Sequence, residues 1–238
     1  MKITTVKTQD AMCILAATAI LEKMNSNHRV NCAFTANSVP SRIYELVIEH
    51  LRESTDCSNF HVYTSDGGPL ENSDHTTTYN ELKEKFCVPA TIKEENIHEI
   101  TKENYAAFDQ QIEEAGGLDL IVLGLGSDGH FCGNMPQSTS FDSLSYEVEI
   151  KPEYPWYDVF ADIYSKHGQA VPRSFVTMGP LSVLKAKEIL LIVHGSNKAE
   201  ALAKMLKGPL TEACPASVLR RHSTITVLAD EEAAKLIS

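Results

Sequence analysis

The chain is poor in several things, and each shortage narrows its function. Its 238 residues hold 21 Lys and Arg against 32 Asp and Glu, a formal net charge of −11. A nucleic-acid groove or an anionic membrane partner wants clustered cations, so both are disfavoured. A single phosphate is not excluded, because it needs only a local nest of N–H groups and a cation or two. No apolar run approaches the ~18–20 residues of a membrane span. The opening Met1-Lys-Ile-Thr-Thr-Val lacks the apolar core of a signal peptide. The six cysteines, Cys13, Cys32, Cys57, Cys87, Cys132 and Cys214, are scattered, without a Cys-x-x-Cys pair or a nearby His at zinc spacing. Several sit in apolar runs, as buried free thiols do. A reducing cytoplasm fits all of this. Internal repeats, low-complexity tracts and long Gly/Ser linkers are also missing.

What remains is an alternation of helical and strand patterns. Helices are predicted over Asp10 to Met24, about Ser41 to Arg52, Tyr79 to Phe86, Glu103 to Ala115, Leu181 to Ala186, Lys198 to Leu206 and Glu231 to Ile237. Strands are predicted over Val30 to Thr35, Phe60 to Thr64, Leu118 to Leu123, Ile189 to Val193 and Thr224 to Leu228. The polar stretch Gly67 to Thr78 reads as a mobile loop. The pattern weakens after Pro136, around Lys151-Pro-Glu-Tyr-Pro-Trp-Tyr157, which holds the sole Trp. Strands separated by helices imply parallel βαβ units. The expected fold is α/β: one three-layer, Rossmann-like domain over residues 1–238, with a mostly parallel sheet and helices on both faces.

The most informative segment is Leu123-Gly-Leu-Gly-Ser-Asp-Gly-His-Phe-Cys-Gly-Asn-Met-Pro136. It follows the apolar run Leu118 to Leu123, which reads as a buried parallel strand. Gly124 and Gly126 are expected to let the backbone turn at the strand's carboxyl end. That edge of an open α/β sheet is where ligands bind. Asp128 and His130, two residues apart on the turn, can face one small molecule together, and imidazole is suited to proton transfer near neutral pH. The plainer alternative is a structural His capping a turn. Cys132, inside the segment, is more readily a small packing residue than a nucleophile.

Three other segments follow the same strand-then-turn logic. Thr35-Ala-Asn-Ser-Val-Pro40 can point N–H groups at an anion, helped by a helix dipole, or be an ordinary turn capped by Asn37 or Ser38. Val62-Tyr-Thr-Ser-Asp66-Gly67 puts a carboxylate at a strand end, or merely makes a tight turn. Gly195-Ser-Asn-Lys198 puts a cation in a first helical turn, where it opposes the dipole. That position favours a functional reason over a solvated surface lysine.

Taken in order, these segments resemble the sugar-phosphate family that contains glucosamine-6-phosphate deaminase, galactosamine-6-phosphate isomerase and 6-phosphogluconolactonase. The resemblance extends from Pro40 through Lys198 to Pro215-Ala-Ser-Val-Leu219. It implies an aldose–ketose isomerase or deaminase acting on an amino-hexose or hexose 6-phosphate. It implies Asp66 as the base moving a proton between C1 and C2, and His130 with Asp128 as the ring-opening unit. It implies Asn37, Ser38 and Lys198 as the phosphate site. Neither a metal nor an organic cofactor is expected, and a homo-oligomer is compatible with the reading.

The chain departs from the family at informative positions. Gly67 and Met135 stand where the deaminases carry Glu, Asn37 where glycine is usual, and Val39 where threonine is usual. An arginine used by the deaminases has no aligned counterpart, with Arg173 the nearest substitute. Two alternatives stand beside this reading: a 6-phosphogluconolactonase-type hydrolase, which the chain fits less well because that branch keeps Asp-Glu-Arg where this chain has Asp66-Gly-Gly, and a non-catalytic sugar-phosphate-binding homologue, which the loss of Glu at Gly67 and Met135 motivates.

Overall fold

The computed structural model describes residues 1–36, 38–51 and 56–237. A seven-stranded parallel sheet forms the centre. In chain order its strands are β1 (Lys2–Val6), β2 (Val30–Phe34), β3 (Phe60–Thr64), β5 (Ile97–His98), β6 (Leu120–Gly124), β9 (Ile189–Val193) and β10 (Ile225–Asp230). Across the sheet the order is β1-β10-β9-β6-β2-β3-β5. A smaller antiparallel sheet joins β4 (Asp66–Gly67), β8 (Ser174–Thr177) and β7 (Tyr146–Glu149), in the order β4-β8-β7.

Strand side chains alternate between two apolar layers, as the period of two requires. Ile121, Leu123, Leu191, Val193, Val227 and Ala229 pack to one side. They meet α4 (Tyr105–Glu114), α6 (Pro180–Leu184), α7 (Ala199–Lys207) and α8 (Glu231–Ala234) through residues such as Phe108, Val183, Leu202 and Ala233. Cys32, Phe34, Val122, Leu190 and Ile192 pack to the other side. There they meet α1 (Gln9–Met24), α2 (Ser38–His50) and α3 (Thr77–Leu82) through Met12, Ile20, Ile43, Val47 and Leu82. The expected three layers are therefore present. The outer face of α1 is partly apolar, with Ile14 and Leu15 exposed. Among the described residues no helix is long and apolar enough to cross a membrane.

The strands read from sequence fall where expected, but the two edge strands β1 and β5 are not among them, and two further regions differ. Gly67 to Thr78 is not a mobile loop throughout. It begins as β4, which pairs Asp66 with Thr177 and Gly67 with Val176, and it ends in the first turn of α3, capped by Thr76. Helix α3 then runs into a π-helical turn at Lys83–Cys87. The weak stretch after Pro136 contains α5 (Tyr157–Lys166), β7 and β8, gathered around a third apolar cluster of Met135, Val148, Ile150, Trp156 and Phe175. A two-residue strand has no readable period, and β7 keeps just Val148 of its four residues buried. β8 is buried at all four positions, but two of them are Ser174 and Thr177, so its apolar run is two residues long.

Candidate active site

The carboxyl ends of β3 and β6 and the short sheet converge on one cavity of about 670 Å³. Thr35, Asp66, Gly67, Thr78, His130, Cys132, Gly133 and Met135 belong to its wall, and Val159, Phe160, Ile163 and Tyr164 of α5 close another side. Asp66 and His130, 64 positions apart in sequence, thus open on the same space.

Asp66 reaches the cavity because β3 does not stop at the large sheet. Ser65 donates its N–H to the Phe34 carbonyl (2.9 Å), and its own carbonyl accepts from Met178 N (2.8 Å). The chain passes from one sheet to the other there, and Asp66 is the first residue of the second. Three hydroxyls donate to its carboxylate: Thr78 Oγ1 to Oδ1 at 2.8 Å, Ser65 Oγ to Oδ2 at 3.1 Å and Thr35 Oγ1 to Oδ2 at 3.4 Å. Withdrawal from water raises the Asp66 pKa, and the hydroxyls and His130 oppose that rise without cancelling it. A carboxylate pushed upward is a better base than an exposed one.

Gly67 occupies the position where the family resemblance places a Glu. A Cβ built there would lie 2.6 Å from Thr76 Oγ1 and 2.8 Å from Thr76 Cβ. The space a side chain would need is filled by the threonine, so this glycine is part of the wall. Met135 is buried in the third apolar cluster beside Phe175 and Trp156. At that position the cavity has a hydrocarbon surface in place of a proton carrier.

The loop after β6 holds the second group. Gly126 N donates to the His130 carbonyl (2.8 Å), closing the turn, and Gly129 N donates back to Gly126 O (3.0 Å). Gly129 adopts φ +92°, a conformation that other residues rarely take. Gly126 matters through space: a Cβ there would lie 2.1 Å from His130 Nδ1 and 2.6 Å from Asp128 Oδ1. Gly124 has no comparable crowding and no left-handed φ. The expected glycine turn is therefore made by Gly126 and Gly129, and not by Gly124.

Asp128 Oδ1 accepts from His130 Nδ1 at 2.6 Å and from the His130 backbone N–H at 3.1 Å. Burial works against the charge on Asp128, but the bonds from His130 outweigh it and hold the carboxyl below its usual range. An ionised carboxylate can only accept, so the imidazole proton sits on Nδ1 and Nε2 is left for a ligand.

Lys198 ends a short 3₁₀ turn, Ser196–Lys198, after Gly195 at φ +90°. Desolvation lowers its pKa, and the Asp128 charge pulls the other way. The lysine therefore lies within electrostatic reach of the Asp128–His130 pair, although it is not part of the cavity wall named above. Ser38 opens α2 at the carboxyl end of β2, in line with the expected strand–turn–helix. Asn37 lies outside the described residues.

Cys132 is not equipped as a nucleophile. It lines the cavity, but burial first, and then the Asp66 charge, push its thiol well above the ordinary value. The other five cysteines are buried and form no disulfide. Among the described residues no group of three or more His, Cys, Asp and Glu could hold a metal ion.

Sequence reasoning missed Thr78 and the α5 wall. Both had a signal. Thr76-Thr77-Thr78 is a run of hydroxyls directly before Tyr79 to Phe86, read as helical, and so makes a helix-start pattern. Val159, Phe160, Ile163 and Tyr164 recur at helical spacing.

Residues 4–228 match the family described as glucosamine-6-phosphate isomerases/6-phosphogluconolactonase. The chain belongs to this family. It is 32% identical to a glucosamine-6-phosphate deaminase of Shouchella clausii, over 99% of this chain and 97% of that protein. It is 34% identical to one of Corynebacterium urealyticum, over 92% of this chain and 86% of the other. Among solved structures it is similar to a monomeric glucosamine-6-phosphate deaminase, with a TM-score of 0.84 and 26% identity over 99% of this chain and 100% of that one. A 6-phosphogluconolactonase from Trypanosoma brucei shares the fold, with a TM-score of 0.76 at 17% identity over 100% and 98% of the two chains.

Proposed function

We propose that the protein is an aldose–ketose isomerase of the deaminase type, acting on an amino-hexose 6-phosphate. The observation that carries the reading is the sharing of one cavity by Asp66, whose pKa is raised, and His130, whose Nε2 has no hydrogen-bond partner among the described residues. In this mechanism His130 Nε2 exchanges a proton with the C1 hydroxyl and the ring oxygen, and the pyranose opens. The Asp128 carboxylate stabilises the imidazolium formed in passing. Asp66 then takes the C2 proton from the open-chain aldehyde and returns it to C1. With an amine at C2, the product is a ketimine, which water hydrolyses to the ketose phosphate and ammonia. Ser38, Asn37 and Lys198 hold the phosphate, so the reacting carbons are presented to Asp66 in one orientation. A positioned proton carrier of this kind supplies ~10²–10⁴-fold.

The test is a turnover screen of glucosamine 6-phosphate, galactosamine 6-phosphate, hexose 6-phosphates and 6-phosphogluconolactone, with ammonia and ketose scored separately. Ketose and ammonia from a hexosamine phosphate support the reading; turnover of the lactone alone replaces it with hydrolysis. Asp66→Asn sharpens the result. It should abolish isomerisation and solvent deuterium exchange at the substrate carbon while phosphate-dependent binding persists. It should also raise the melting temperature at neutral pH. A carboxyl whose folded pKa lies above its unfolded value binds more protons in the native state, so its contribution to stability falls as pH rises through that window. Unchanged exchange in the variant would remove Asp66 from the mechanism.

A further inference from the structure

The first turn of α3 carries a hydroxyl whose partner is the proposed base itself. Thr78 is 4% exposed, lines the cavity and donates to Asp66 Oδ1 at 2.8 Å, the shortest of the three hydroxyl contacts. It comes from a different element than Thr35 and Ser65, which sit at the ends of β2 and β3. The α3 turn is fixed to the Asp66 strand on its own account. Thr77 N donates to Gly68 O (2.9 Å), Gly68 N donates to Thr77 Oγ1 (3.3 Å), and Thr76 Oγ1 accepts from Tyr79 N. Thr77 and Thr76 thus have backbone partners, whereas the Thr78 hydroxyl is spent on the carboxylate.

We propose that Thr78 is a positioning residue: its hydroxyl fixes the orientation of the Asp66 carboxylate in the cavity and favours its charged form. The inference rests on the reading of Asp66 as the base. Two oxygens held by three donors from three elements cannot rotate freely about the Asp66 side chain. Proton transfer to and from carbon then starts from one geometry. Burial is the largest influence on this carboxyl, and the Thr78 bond is the strongest of those opposing it. The other ionisable groups around it either help or are silent at neutral pH. His130 on the β6 loop favours the charge, while Cys132 on the same loop and Tyr44 of α2 are both held neutral by burial. The neighbouring cavity charges Glu81 and Lys85 pair with each other at 2.8 Å.

Two readouts test this. The first is a carbon-13 carboxyl titration of Asp66 in the unliganded protein, assigned by the signal lost in Asp66→Asn. In Thr78→Val, which keeps the shape and removes the donor, the midpoint moves to higher pH; in Thr78→Ser it stays near wild type. The second is turnover of a hexosamine 6-phosphate. Thr78→Val lowers kcat about tenfold or more, with KM nearly unchanged, and moves the acid limb of the kcat profile upward; Thr78→Ser restores both. If Thr78→Val does not fold, Thr78→Ala carries the same expectation. A Thr78→Val or Thr78→Ala protein that titrates and turns over like wild type overturns the proposal, as does a kcat loss that Thr78→Ser fails to repair. If wild type turns over no sugar phosphate, the isomerase reading fails, and the titration alone still decides whether Thr78 sets the state of Asp66.

Discussion

Two histidine–aspartate pairs stand at the carboxyl edge of the large sheet, and their ring contacts are nearly identical. His130 Nδ1 meets Asp128 at 2.6 Å, and His194 Nδ1 meets Asp230 at 2.5 Å. They differ in what else the carboxylate holds. Asp230 is 4% exposed and accepts from Gly195 N at 3.1 and 3.2 Å and from Ala233 N at 2.8 Å, which makes it the cap of α8. It ties the ends of β9 and β10 to the helix that follows. Asp128 sits on a glycine loop, binds the ring and the backbone of His130, and senses Lys198 across the edge. One carboxylate is consumed by the fold; the other is reserved for the imidazole. A His–Asp pair is thus made a candidate site by the freedom of its aspartate, more than by the contact itself.

The largest effect that separates the pairs is expected at His130. If Nε2 opens the sugar ring, His130→Gln slows the closed-ring substrate by ~10²–10⁴-fold and an open-chain analogue far less. The melting temperature should hardly move, because the ring's described partner is a carboxylate two residues away. Comparing rates on the two substrates checks this. Equal losses on both would make the pair scaffolding, like its neighbour.

The next effect falls on Asp230 and is one of stability. Asp230→Ala removes a helix cap and leaves the amides of Gly195 and Ala233 without their acceptor, a loss of about 2–3 kcal/mol. Denaturant unfolding measures it. The sign with pH is also fixed. Burial resists the charge, but the amides and His194 hold the Asp230 pKa below the usual range. Its stabilising contribution is therefore complete above the unfolded pKa and is lost as pH falls through the folded one. The wild-type advantage over Asp230→Ala should shrink in acid. An advantage that grows instead would mean that the carboxylate is not the species holding these amides.

How far the sequence reveals this difference depends on what each residue faces. The Ile189 to Val193 strand is apolar at every position because both faces are buried, and it lies where its pattern puts it. The segment from Gly124 to His130 announces a turn with an acid and an imidazole, and its location follows from parallel βαβ units. The role of Gly126 is not legible, because its contact with the His130 ring depends on a side-chain position fixed in space. The helix start at Thr78 was legible, but its bond to Asp66 was hidden for a related reason. A polar stretch reads as loop unless its partner is known, and that partner, Asp66, lies twelve positions back on a strand of two residues. The α5 wall was legible in its spacing but masked by the prolines and aromatics before it. His194 gave no signal: an imidazole after an apolar strand looks the same whether its aspartate is a cap or a carrier.

The smallest expected effect is therefore the one that tests the comparison most directly. His194→Gln removes a ring with the same contact as His130, at the same edge of the same sheet. Asp230 keeps its three bonds to backbone N–H groups, so the cap on α8 survives. The side chain of His194 is 36% exposed, so the gap left behind fills with water at little cost. The stability loss should be about 0.5–1.5 kcal/mol, the worth of one hydrogen bond, and kcat/KM on a hexosamine phosphate should stay within about twofold of wild type. Steady-state kinetics and a melting curve on the same preparation read both. A tenfold fall in kcat/KM with the fold intact would show that an aspartate consumed by the backbone can still serve a working imidazole. The distinction between the two pairs would then have to be drawn from their distance to the phosphate instead.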